Sequence, residues 1–418
     1  VSYHDFASRL LATGLVPDPW LKGKPRCRQA PWVFTPERLQ AVYDAAEAVC
    51  RAHDAAVRAA VAQPELLDDF WMLTPVQKLI FQAAAPHWHA YARADILERD
   101  DGSLAVIELN CDTPTGQSEA IALGRLAAED HPGLLDPAAD MLGAFGQVWR
   151  ELLAEHLDPS APRRVGLVYP TEMSDDLHVV QLFTWWLESL GHEVVLGSPF
   201  DLAGDPDGGV TLRGRPVGPV LRHYKTDWWT ERLEVWEDAG PFPDAEPLVE
   251  PLLALCRGMD ARRALVVNPF GAVVAQNKRT MALLWERPDL FDAEIRAITQ
   301  RYIPETRRLD AVHPAQIAAE RASWVLKSDY GAEGEEVLVG PAVSQERWEL
   351  ALSLALPERW VVQRVVAARD YDGAQRNLGP YIHGGRAGGL FVRESAGPVG
   401  HDAISLPVLV DPAVAPSA

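Results

Sequence analysis

The stretch Arg93-Ala-Asp95-Ile-Leu-Glu-Arg-Asp100-Asp-Gly102-Ser-Leu-Ala-Val-Ile-Glu108-Leu-Asn110-Cys-Asp112-Thr-Pro-Thr115-Gly116 decides how this chain is read. Asp101-Gly102 is a turn signal, because Gly accepts positive φ and Asp tolerates it. With those two residues as the loop, Asp95 pairs with Glu108 and Arg93 with Asn110. Alternate strand residues share a face, so all four side chains project from one side. Ala94, Ile96, Ile107 and Leu109 then form the core face, and the parity of Cys111 makes it a packing residue. A three-residue loop would slip the register by one and separate the two sets. Carboxylates placed opposite each other repel. A hard cation removes that penalty, and the all-oxygen set Asp95, Glu108 and Asn110 suits Mg2+. Arg93 beside it points to phosphoryl chemistry. The plainer reading is a solvated edge hairpin with scattered charges.

The chain has 418 residues, which predicts two or three packed subdomains. It has no apolar run long enough for a membrane helix and no visible signal segment. Cys27, Cys50, Cys111 and Cys256 lack metal or redox spacing, which reads as reduced thiols in a cytoplasmic protein. Lys and Arg total 39 against 59 Asp and Glu, a formal net charge of −20. That argues against a nucleic-acid partner and mildly favours a cationic substrate. Among the twelve histidines no HExxH or other paired metal spacing occurs, and no GxSxG elbow is present.

Apolar spacing predicts a long helix over 35–62, further helices over 76–91, 119–128 and 141–157, and a boundary at the Pro-rich 158–162. Strand 165–169, helix 179–190 and strand 192–196 read as a βαβ unit with a parallel sheet. Segments 210–213 and 217–224 read as a hairpin closing it. Trp185, Trp186, Trp228 and Trp229 read as packing residues. The division expected is therefore 1–157, 163–258, 264–406 and a frayed tail over 407–418.

In the last part, strand 324–328 ends in Lys327 and runs into a loop with Gly331 and Gly334. Glycines there let backbone N–H groups approach an anion, and Lys327 adds a charge. A glycine-turned hairpin would look the same, and the order is not that of a Walker loop. Lys278 is a second candidate phosphate contact; alone it reads as a surface lysine opening a helix. Arg393-Glu394 closes a Gly-rich strand, either as a charge-neutralising arginine or as a solvated ion pair.

In this order the segments resemble the glutathionylspermidine synthase family, a circularly permuted ATP-grasp group. The resemblance rests on Arg93-x-Asp95, Glu108-x-Asn110-x-Asp112-x-Pro114, Glu119-Ala120, Lys278, Lys327 before Gly331 and Gly334, Val361-Val-Gln363, and Arg393-Glu394. It implies a mixed α+β and α/β chain: a permuted ATP-grasp fold with an inserted βαβ subdomain. Asp95, Glu108 and Asn110 would hold Mg2+, two ions by the family pattern, on the phosphates of ATP. Lys278 and Lys327 would contact phosphates, the Gly331–Gly334 loop would close over them, and Gln363 would lie by the adenine or ribose. Arg93 and Arg393 would stabilise an acyl-phosphate and the tetrahedral state after it, with Thr113 and Thr115 near the reacting carboxylate.

The activity implied is ATP-dependent joining of a carboxylate, a peptide or amino acid, to a primary amine or polyamine. No amidase domain accompanies it. Two other readings stand beside it: a catalytically idle nucleotide-binding module, and a small-molecule kinase.

Overall fold

The computed structural model describes residues 2–413, apart from 174–175, 231, 243–245, 332–335, 398–399 and 401. Its largest sheet is antiparallel and five-stranded, in the order Ile404–Leu406, Arg386–Ser395, Gln375–His383, Tyr91–Glu98, Leu104–Asn110. The early hairpin thus lies edge to edge with strands from the end of the chain. Helix Pro36–Ala62 covers its apolar face. The helix is opened by the Thr35 hydroxyl, which accepts from the Arg38 N–H at 3.2 Å, and by Pro36 in its first turn. Its inward stripe of Val42, Ala45, Ala46, Val49 and Ala56 packs in one core with Ala94, Ile96, Val106 and Leu109. Small residues along that stripe let a 27-residue helix lie close on the sheet.

The hairpin reaches the expected pairing by an unexpected route. Its loop has three residues, not two: Arg99 N–H donates to Ser103 O at 2.8 Å, and Gly102 (φ +80°) donates to Arg99 O. By itself that slips the register, so Ile96 pairs with Val106 and Leu97 with Ala105. A bulge at Ile107 then takes up the extra residue, and from there Asp95 pairs with Glu108 and Arg93 with Asn110. Val106 takes the core place expected of Ile107, which is only half-buried.

A four-stranded antiparallel sheet, ordered Thr306–Arg308, Trp360–Arg364, Trp324–Ser328, Val337–Val339, has a core of Trp324, Leu326, Trp348, Trp360 and Val362. The third sheet is parallel, ordered Leu265–Val267, Pro219–Arg222, Val165–Val168, Val194–Gly197, with helix Leu177–Ser189 completing the βαβ unit.

Four expectations are corrected. Val210–Leu212 does form a hairpin, but with Arg215–Val217; Pro219–Arg222 instead enters the parallel sheet. The break falls at Gly218, where any Cβ would lie 2.1 Å from the Pro162 carbonyl oxygen. Leu265–Val267, assigned by sequence to the last part of the chain, is an edge strand of that same parallel sheet. The helix expected over 76–91 is Pro75–Ala84, and Tyr91 already starts a strand. The tail is not frayed at its start, since Val408–Val410 pairs with Trp32–Phe34 and is buried. Among the paired tryptophans Trp186 and Trp229 are buried, whereas Trp185 is 39% exposed. All four cysteines are free thiols. No helix of the described residues is long and apolar enough to cross a membrane.

Candidate functional site

Strand alternation projects Arg93, Asp95, Glu108 and Asn110 from one face of the hairpin, where cations from three other elements meet them. Arg93 Nε donates to Asp95 Oδ1 at 3.0 Å, and Arg393 Nη2 donates to Asp95 Oδ2 at 3.1 Å. Arg393 and Glu394 are not a solvated pair. They alternate across the sheet, and Glu394 is buried on the other side against Arg376 at 2.8 Å. Lys278, at the start of helix Arg279–Glu286, is buried; its ammonium lies 3.3 Å from Glu108 Oε1 and donates to Gly331 O at 2.6 Å. Lys327, also buried, donates to Gln363 Oε1 at 2.8 Å and to the bulged Ile107 carbonyl at 3.1 Å. Gln363 in turn donates to Thr306 Oγ1 at 3.0 Å.

Arg93, Asp95, Glu108, Asn110, Lys278, Lys327, Gly331, Gln363 and Arg393 are therefore gathered from opposite ends of the sequence. Gly334 lies outside the described residues. Thr113 and Thr115 sit half-buried in the loop after the hairpin. There it is the Thr115 carbonyl that is engaged, accepting from Arg93 Nη1 at 2.8 Å and from the Tyr381 hydroxyl at 2.9 Å.

Sequence reasoning missed the residues that hold this loop in place. Gln276 Oε1 accepts the Cys111 and Asp112 N–H groups at 2.7 and 3.1 Å. Asn268 accepts from the Ala90 and Tyr91 N–H groups and donates to the carbonyls of Tyr91 and Asp112, so one side chain ties the strand's start to its partner's end. The Asp112 carboxylate accepts from Thr226 N and Oγ1 at 2.7 and 2.6 Å and pairs with the fully buried Arg222 at 2.5 Å. Only the polarity of Asp112, Asn268 and Gln276 within apolar runs could have signalled this, and many buried polar residues look the same in sequence.

Electrostatics give the site its character. Four cations face two carboxylates, a local excess of positive charge in a chain of net charge −20. Burial alone would raise the Asp95 carboxyl, but Arg93 and Arg393 hold it below the usual carboxylate range. Burial pushes the Lys327 ammonium down to about 8, with Lys278 adding to the shift and Glu108 opposing it. Confined cations of this kind suit a polyanion that repays their desolvation. The donor set also fits a hard cation. Asp95 and Glu108 supply carboxylate oxygens, and Asn110 Nδ2 is buried with no hydrogen-bond partner among the described residues. Rotating that amide would present its carbonyl oxygen instead, which a divalent cation would satisfy.

The chain matches the glutathionylspermidine synthase preATP-grasp family over residues 21–408. In fold it is similar to a glutathione synthetase-like effector from Globodera pallida, with a TM-score of 0.58 at 12% identity, covering 97% of this chain and 95% of that one. A candidate gamma-glutamylcysteine synthetase from Methylobacillus flagellatus gives a TM-score of 0.48 at 13% identity, covering 91% and 88%, too low to carry an argument. No curated protein matches the chain.

Proposed function

The chain belongs to the glutathionylspermidine synthase family, and from that premise we propose that it is an ATP- and Mg2+-dependent ligase joining a carboxylate to an amine. The observation that carries the proposal is the meeting of Lys278, Lys327, Arg93 and Arg393 around Asp95 and Glu108. A carboxylate reacts poorly with an amine because oxide is a poor leaving group. Transfer of the γ-phosphoryl group of ATP makes an acyl-phosphate, and the amine then displaces phosphate. Positioning and charge stabilisation supply most of the acceleration in such a reaction.

The cations of this site occupy acceptors that a nucleotide would replace. Lys327, now on the Gln363 and Ile107 oxygens, and Lys278, now on Glu108 and the Gly331 carbonyl, would hold the phosphates. Glu108, Asp95 and Asn110 would hold Mg2+, which supplies positive charge to the phosphates when bound. Arg93 is held between Asp95 and the Thr115 carbonyl, so its guanidinium is aimed at the loop where the acyl group would sit. Arg393 reaches the same carboxylate from strand Arg386–Ser395, across the intervening strand Gln375–His383, and with Arg93 would stabilise the charge of the transferred phosphoryl group. We read the fold as a permuted ATP-grasp arrangement, supported by a single sheet that unites the early hairpin with the closing strands. The acid is a peptide or amino acid, and the acidic surface favours an amine or polyamine as nucleophile.

The test is Mg2+-dependent ADP release across a grid of carboxylates and amines, with mass spectrometry of active wells. Release that needs both partners, with a product mass equal to their sum less water, supports ligation. A stable phosphorylated product would replace the ligase reading with a kinase. ATP binding without turnover across the grid would favour an idle module.

A further inference from the structure

A second cluster of ligating side chains lies apart from the residues of the nucleotide site. His87 belongs to the segment joining helix Pro75–Ala84 to strand Tyr91–Glu98, and Glu155 and His156 end helix Met141–His156. Their candidate ligand atoms all lie within 4.8 Å of one another. The imidazole rings of His87 and His156 meet with centroids 4.3 Å apart and planes inclined at 70°. His156 Nε2 is buried and has no hydrogen-bond partner among the described residues; Glu155 Oε2 is 3.7 Å away, beyond hydrogen-bond reach. Two ligands of one tetrahedral zinc, each about 2.0–2.1 Å from the metal, lie roughly 3.4 Å from each other. The cluster therefore stands a little wider than a filled site, at a spacing that small side-chain rotations would close.

We propose that His87, Glu155 and His156 form a Zn2+ site, with water in the fourth position. Two imidazoles and one carboxylate are a borderline-soft set that suits zinc and does not suit Mg2+. A helix C-terminus favours a cation, and Glu155 and His156 occupy that last turn. Arg262 donates to the Glu155 carbonyl at 2.5 Å, which fixes the helix end that presents both ligands. The segment thus held is the one entering the strand of Arg93 and Asp95, and the His87 carbonyl would lie 2.2 Å from a Cβ placed on Gly271. A metal here would staple the entry of that strand to the helix end. No sequence spacing announces it, because His87 lies far from an adjacent Glu-His pair.

The experiment is calorimetric titration of the full, chelator-stripped chain with Zn2+ alone, followed by the visible spectrum of the Co2+-loaded protein. The expected result is one high-affinity Zn2+ per chain, with visible Co2+ bands of four-coordinate intensity and a higher melting temperature. His87→Gln and His156→Gln should each weaken uptake tenfold or more, as should Glu155→Gln, whose exposed side chain puts no fold at risk. His131→Gln, at an exposed position, should leave uptake unchanged. Absence of stoichiometric uptake, or uptake unaltered by Glu155→Gln and either histidine change, would overturn the site. None of these readings depends on ligase activity.

Discussion

Lys327 Nζ lies 3.1 Å from the main-chain oxygen of Ile107, the residue bulged out of the hairpin that carries Asp95 and Glu108. The bulge frees a carbonyl from the ladder, and the lysine of another sheet takes it. Two sheets are thereby linked through one ammonium at the place where phosphate is proposed to bind. Lys327→Met should leave the chain folded while raising the Kd for Mg·ATP by roughly tenfold to a hundredfold, the size of a lost charge-assisted contact. Equilibrium binding of a fluorescent nucleotide measures this. Unchanged affinity would remove Lys327 from the phosphate site.

The same ammonium predicts a pH dependence. Its ordinary value near 10.5 is lowered to about 8 by burial, with Lys278 contributing. Nucleotide affinity should therefore weaken as pH rises through about 8, where the unliganded site begins to lose that proton. Lys327→Arg keeps its charge over this range and should flatten the profile. A wild-type profile level from pH 7 to 9 would contradict the assignment.

Arg93→Ala and Glu108→Ala should each cut the rate of product formation severely in a folded protein, to a residual but measurable level. Removing one preorganised donor costs on the order of 3 kcal/mol of transition-state stabilisation, a hundredfold or more in rate. Arg93 and Arg393 share the Asp95 carboxylate, so their effects should not add. A double-mutant cycle on kcat checks this, and strict additivity would show that the arginines act separately.

Much of this site is legible in sequence because strand alternation is a rigid rule. Arg93, Asp95, Glu108 and Asn110 fall on one face whenever Asp95 opposes Glu108. The sequence does not reveal how that register arises. Asp101-Gly102 reads as a two-residue turn, but the chain forms a three-residue loop and restores the pairing with a bulge at Ile107. Two departures of one residue cancel, and neither carries a composition signal. The anchors Asn268 and Gln276 stayed hidden for a related reason: their partners are backbone groups more than 150 residues away. The buried tail strand Val408–Val410 was hidden too, since its partner Trp32–Phe34 is almost the whole chain away.

Asp112 is predicted to be a structural anchor and not a reacting group. Arg222 is fully buried, and Asp112 is the one carboxylate paired with it among the described residues. Asp112→Ala strips a buried guanidinium of its counter-charge, which typically costs 3–5 kcal/mol. Urea unfolding should show that loss. A shift under about 1 kcal/mol would mean the backbone acceptors Asn268 O and Tyr224 O suffice for Arg222.

Acid should destabilise the fold through histidines buried as neutral rings, His53 and His383 among them. His53 Nδ1–H donates to Val49 O at 2.9 Å, and burial lowers both His53 and His383 to about 4. An unfolded chain protonates these rings near 6.5, so below that value it binds protons that the folded chain refuses. Stability is therefore complete above about pH 6.5 and is lost as pH falls toward 4, by roughly 3 kcal/mol for each ring. A chain of net charge −20 gains something in the opposite sense, because protonating surface carboxylates relieves self-repulsion. The wild-type slope mixes the two effects, and mutants separate them. His53→Gln and His383→Gln should each flatten the rise of unfolding free energy between pH 5 and 6.5 by close to one proton, while lowering stability at pH 7. Parallel slopes in mutant and wild type would mean that these rings titrate alike in both states, and that acid acts elsewhere.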